Sequence, residues 1–138
     1  FSFSFLFSCY GDHRDLHSFP PRRSSDLLLG TELILHPSNL VLSWCPDAMR
    51  YHALWNGVYT ATANRTGMED RGGQLFEYIG RSIIYSPDGK ILTEAHQERE
   101  GIYTAEIDLS LARNKALNRY NDKFQDRQPE FYFDIGLT

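Results

Sequence analysis

The stretch from Glu32 to Arg65, ELILHPSNLVLSWCPDAMRYHALWNGVYTATANR, leaves the chain few choices of fold. It opens with an apolar run, Leu33-Ile34-Leu35, short enough for a buried strand and stopped by Pro37. A polar loop follows, then a segment from Pro46 to Asn56 that reads as a helix. Pro46 suits a first helical position, because the amide hydrogen it lacks would go unbonded there anyway. Gly57 suits the residue just past a helix end, where a left-handed backbone is needed. Val58 to Ala63 alternates β-branched and small residues, as a second strand would. Strand, loop, helix and strand in succession make a crossover unit, which implies a sheet covered by helices. The predicted class is α/β.

The flanking chain is less regular. Leu28-Leu29-Gly30 reads as a helix end with Gly30 as its terminator. Thr66 to Gly73 is polar and glycine-rich, which predicts a loop. Ser82–Tyr85 and Lys90–Ala95 flank Ser86-Pro87-Asp88-Gly89, with Pro and Gly where a type I turn prefers them, so this pair is a predicted hairpin. From Ile102 to Leu109, Tyr103, Ala105, Ile107 and Leu109 share one face, the pattern of a half-buried strand. Asp108 or Ser110 can cap a helix running to about Asn121, with Leu109, Ala112, Ala116 and Tyr120 three and four apart on one stripe. The tail from Phe124 to Thr138 is rich in aromatics.

Composition removes several classes of partner. The formal net charge is −4, and no basic stripe exists to neutralise phosphates, so nucleic acid and acidic membrane surfaces are not expected partners. Two cysteines, Cys9 and Cys45, make no disulfide framework, and a reducing cytoplasm is the default. No apolar run approaches the roughly 20 residues needed to cross a bilayer.

ILHPSNLVL, CPDAM and TATANR, in that order, resemble the second half of the carbon–nitrogen hydrolases, the nitrilase superfamily. The likeness continues through GRSIIYSPDGKIL, AEIDLSLARNKALN and NDKFQDRQPEFY, so it covers about residues 28–138. It implies the carboxyl-terminal half of a four-layer αββα sandwich, with less than half of a whole domain present. It also implies a reaction in which a Cys thiolate attacks an amide, carbamoyl or nitrile carbon. A Glu then shuttles protons, a Lys stabilises the developing charge, and water resolves the thioester. In that family the nucleophile sits on a strand-to-helix elbow upstream of the HPSN segment, with the Glu and Lys further upstream. The resemblance therefore implies that the triad is missing, that this chain is inactive by itself, and that the parent protein is a homo-oligomer. A small non-catalytic binding or dimerisation module is the alternative, using the apolar stripe after Ser110 and the aromatic tail as an interface.

Residues 1–27 differ from the rest. CYGDHRDLHSFPPRRSSDL resembles, almost residue for residue, one reading frame of a common sequencing adapter translated as protein. That implies a leader foreign to the domain. A secretory signal with Leu6-Phe7-Ser8-Cys9 as a lipobox-like site is the weaker reading, because the basic n-region is missing and Ser2 and Ser4 dilute the apolar stretch. A tail without structure is the third.

Few residues then qualify for a site. The resemblance implies that Asn39, at the end of the first strand, lines the pocket and touches substrate. The residue pattern equally allows an Asn that caps its own turn after Pro37. No catalytic residue is assigned. Cys9 lacks the family's elbow pattern around it. Cys45, before Pro46, stands where a helix dipole can lower a thiol pKa, or is simply a small residue packed at the helix start. His36 reads as structural, and the five histidines form no metal-binding pair, so neither metal nor cofactor is expected. Arg65 either anchors a loop by bidentate hydrogen bonds or stands exposed. Glu98, Arg99 and Glu100 read as a solvated turn.

Overall fold

The computed structural model describes residues 27–131. The leader with Cys9, up to residue 26, and the end of the aromatic tail from 132 lie outside the described residues. The helix end at Leu28 is present: Gly30 N–H closes on Leu27 O at 3.1 Å, with Gly30 at φ 94°.

Strand β1 (Leu33–Ser38), helix α1 (Cys45–Asn56) and strand β2 (Tyr59–Asn64) form the expected crossover. β1 and β2 run parallel, from Leu33 opposite Tyr59 to Ser38 opposite Asn64. α1 starts one residue before Pro46 and ends on Gly57 at φ 58°, where the Gly57 and Val58 amides both close on Ala53 O. Pro37 does not stop β1, which runs through it to Ser38. The reason is positional. Tyr59 N–H donates to Glu32 O and Arg65 N–H to Ser38 O, so the even-numbered residues of β1 face β2 and the odd ones face outward. Among the described residues β1 is the edge of its sheet, and the missing amide hydrogen of Pro37 costs no ladder bond to β2.

β5 (Ile83–Tyr85) pairs antiparallel with β2 and with β6 (Ile91–Glu94), giving the order β1-β2-β5-β6. The β5–β6 turn is the predicted one, closed by Gly89 N–H on Ser86 O at 2.8 Å. α1 covers one face of this sheet. Met49 and Ala53 of the helix pack with Ile83 and Tyr85 of β5, and the partly buried Ile34 packs against them. Thr60 and Thr62, opposite Tyr85 and Ile83, lie on the same face, and Thr60 Oγ1 donates to Met49 O at 3.3 Å. Leu35, on the other face, is 41% exposed. The α/β class thus stands, with one mixed sheet and its covering helix in view.

Three further expectations fail. Thr66 to Gly73 is not simply a loop. Thr66–Asp70 is strand β3, paired antiparallel with β4 (Leu75–Ile79), and only the tip between them turns. The segment from Ile102 to Leu109 keeps its alternation, with Tyr103, Ala105, Ile107 and Leu109 half-buried, yet no strand partner is found among the described residues. It is tied down instead by Tyr59, whose hydroxyl donates to Asp108 O at 2.9 Å.

The helix expected to reach Asn121 is only α2 (Ser110–Arg113). Side chains outbid the helix there. Asn114 Oδ1 accepts from Ala116 N–H, Asn118 Oδ1 from Tyr120 and Asn121 N–H, and Asp122 Oδ1 from Phe124 and Gln125 N–H. Lys115 meanwhile reaches back to α1, donating to Asn56 O at 2.9 Å and Gly57 O at 2.8 Å, and Lys123 donates to Leu54 O at 2.5 Å.

Candidate functional site

The parallel register of β1 and β2 sets their carboxyl ends side by side, and chain leaving such ends is where open α/β sheets bind ligands. A cleft of about 820 Å³ lies there, lined among others by Asn39, Asn64, Arg65, Arg81, His96 and Tyr103. Asn39 is the first residue after β1. It is half-buried, and its side chain makes no hydrogen bond to another described residue. The turn it was free to cap is capped by a different residue. Asn64 Oδ1 accepts from Leu40 N–H at 2.7 Å and from Ser38 Oγ at 3.3 Å, and Asn64 Nδ2 donates to Gly80 O at 2.5 Å.

The joint Gly80-Arg81-Ser82 also lines the cleft. Gly80 and Arg81 both stand at φ 58°, and Arg81 is non-glycine in the left-handed region. Its guanidinium forks onto Asp47 in the first turn of α1, at 2.9 and 3.2 Å, and reaches Glu94 at the end of β6 at 2.6 Å. These two carboxylates push the Arg81 pKa further up, so its charge is permanent and internally neutralised. Ser82 Oγ accepts from Asn64 N–H at 2.9 Å.

Arg65 is exposed, as one of its two readings had it, and it is not bidentate. One nitrogen meets Glu69, and the guanidinium carbon lies 4.5 Å from the Tyr78 ring centroid. Arg71, the Tyr78 hydroxyl and Arg65 together hold the Glu69 carboxyl down at about 2. Arg99 and Glu100 stand exposed at the rim of the cleft, as a solvated turn should. His36 is half-buried with Nδ1 at 3.3 Å from Thr62 Oγ1. Among the described residues, no group of three or more His, Cys, Asp or Glu is placed to hold a metal ion.

Cys45 is half-buried at the start of α1. Burial pushes its thiol up, which favours the packing reading over an activated thiolate. A folded pKa above the unfolded one means that stability is fully present below about pH 8.5 and is lost as pH rises through the folded value. In a Cys9→Ser background, alkylation of Cys45 at pH 7 should run slower than that of an unstructured peptide thiol. A faster rate would make it a reactive group.

Asn64 and Arg81 were not singled out from sequence. Asn64 stood in TATANR only as one letter of a motif. Nothing local marks Arg81 as the partner of residues 34 positions before it and 13 after.

The carbon–nitrogen hydrolase family model matches residues 15–116. This chain belongs to the carbon–nitrogen hydrolase family. The match starts within the segment taken as a foreign leader and stops short of the tail, whereas the sequence likeness was drawn over about 28–138. A nitrilase of Pyrococcus abyssi is 46% identical over 115 residues, 83% of this chain and 42% of that protein. An N-carbamoylputrescine amidase of Arabidopsis thaliana is 27% identical, again across 83% of this chain and 42% of the relative. Among solved structures, the carbon–nitrogen hydrolase of Helicobacter pylori G27 superposes with TM-score 0.63 at 26% identity, covering 79% of this chain and 42% of its own. An amidase of Nesterenkonia sp. AN1, bearing a covalent adduct on its active-site cysteine, superposes with TM-score 0.61 at 23% identity. The chain thus spans about 42% of the length of the curated relatives it matches.

Proposed function

We propose that this chain supplies the carboxyl-terminal part of a hydrolase acting on amide, carbamoyl or nitrile carbon–nitrogen bonds. In this reading Asn39 holds a polar group of the small-molecule substrate in the cleft. The Cys nucleophile, Glu base and Lys come from sequence that residues 28–138 do not contain. The observation that carries this is the 46% identity to a nitrilase, spread over 83% of this chain but only 42% of that protein. Residues 1–27 take no part in this proposal, and a cytoplasmic homo-oligomer belongs to it as the expected setting of the whole protein. No helix among the described residues is long and apolar enough to cross a membrane.

The purified chain should not turn over amides, ureido acids or nitriles. Turnover that Cys45→Ser abolishes would sink the reading. Fusing the amino-terminal part of the Pyrococcus abyssi nitrilase ahead of residue 28 should restore turnover. In that fusion Asn39→Ala should raise KM at a cost of about 1–3 kcal/mol, the range for a buried polar partner left unpaired. Lower stability with unchanged KM would instead mark Asn39 as a packing residue.

A further inference from the structure

Asn39 is flanked by Ser38 and Leu40, and both flanking residues are held by one side chain. The Asn64 carboxamide oxygen accepts from Ser38 Oγ at 3.3 Å and from Leu40 N–H at 2.7 Å. Its nitrogen donates to Gly80 O at 2.5 Å. Leu40 is fixed a second time, its carbonyl accepting from Ile79 N–H at 3.1 Å. Asn64 is itself anchored on several sides. It ends β2 opposite Ser38, its backbone N–H donates to Ser82 Oγ, and Gly80 next to it packs against the Gln97 backbone. An amide is the group that can do all of this, since it offers one acceptor with two lone pairs and two donors without adding charge to the cleft.

From this we infer that Asn64 is a positioning residue: it brackets Asn39 from both sides and so directs the Asn39 carboxamide at the substrate. The inference rests on the substrate-binding reading of Asn39 given above. Asn64 lines the same cleft, but both hydrogen-bonding ends of its amide are already engaged by protein. Asn39 has its donors and its acceptor free of other described residues. The two asparagines divide the work, one holding the loop and the other left available to a ligand.

In the chain itself, amide hydrogen exchange at Leu40 should speed up by roughly tenfold in Asn64→Ala, the factor expected when one net hydrogen bond is lost. Unchanged exchange would show that Asn64 does not hold the loop and would overturn the inference. In the fusion enzyme, Asn64→Ala should raise KM as much as Asn39→Ala does, leave kcat near its parent value, and add nothing further in the double variant. A KM that rises for Asn39→Ala but not for Asn64→Ala overturns the positioning role and leaves the substrate reading standing. A KM unmoved by either substitution removes the substrate reading and the positioning role with it. Asn64→Asp keeps the acceptor contacts to Ser38 and Leu40 but loses the donor to Gly80 O and adds a charge to the cleft. Leu40 exchange should therefore stay nearer the parent value in Asn64→Asp than in Asn64→Ala, and equal acceleration in the two would count against the bracket.

Discussion

Alanine in place of Gly80 is expected to cost the fold about 2–5 kcal/mol, combining left-handed strain of about 1–2 kcal/mol with an overpacking cost of about 1–3 kcal/mol. A Cβ at this position would come within 2.2 Å of Gln97 O. That atom is backbone, so no rotamer change relieves the clash and the chain after β6 has to move. Gly80 also stands at φ 58° with Arg81, at the same φ, directly behind it. The shift would strain the bonds that meet here, Asn64 Nδ2 to Gly80 O and Gly80 N–H to Arg65 O. Gly67 is the control. It has φ 93° but nothing within 4 Å of its would-be Cβ, so its alanine variant should show only the backbone strain. Urea midpoints at constant slope measure both. Equal losses at the two positions would show that contact with Gln97 is not what makes Gly80 special.

The second large effect is expected at Ile83. This residue is 1% exposed and sits between α1 and the sheet with Met49, Ala53 and Tyr85. It lies in the middle of the sheet, opposite Thr62 of β2 and Glu94 of β6, so the backbone around it has little room to collapse. Ile83→Ala should therefore cost about 2–5 kcal/mol, and Ile83→Val about 0.5–1.5 kcal/mol. Leu35 gives the comparison. On the opposite face, and far more exposed, it should lose much less on truncation to Ala. Denaturant melts of the three variants test this, and a Leu35→Ala cost matching that of Ile83→Ala would mean that the core has been drawn on the wrong face.

What could be read from sequence was what neighbouring residues decide among themselves. Pro46 and Gly57 bound α1 because each acts through its own backbone dihedral. The Ser86–Gly89 turn follows from Pro87 and Gly89 in the same way. The crossover followed, since a strand, a helix and a strand of those lengths have few other ways to pack. β3 was missed because a polar ladder is visible only with its partner, and Leu75–Ile79 lies across a glycine-rich tip. The helix beyond Arg113 was misread because its apolar spacing is helical. Leu117 and Tyr120 on that segment are in fact 63% and 72% exposed. The local hydrogen bonds of Asn114, Asn118 and Asp122 decide the backbone there, and period alone does not register them. At the site, the location of Asn39 past a strand end was legible, but the residue that shapes its surroundings was not. Asn64 meets Leu40 from 24 positions away and Gly80 from 16.

The two lysines at the end of α1 bear on the order in which the chain can fold. α1 has no basic residue in its own last turn, so its terminal carbonyls wait for cations from far downstream. Lys115 arrives from 58 positions beyond Gly57, and Lys123 from 69 beyond Leu54. At the usual synthesis rate of about 5–20 residues per second, the later of these partners emerges about 3–14 s after the helix it completes. Contacts this distant in sequence also form late, because the loop between them has to close first. Nascent α1 therefore spends seconds with a frayed end, and its closure marks the moment when the carboxyl-terminal third of the chain has docked.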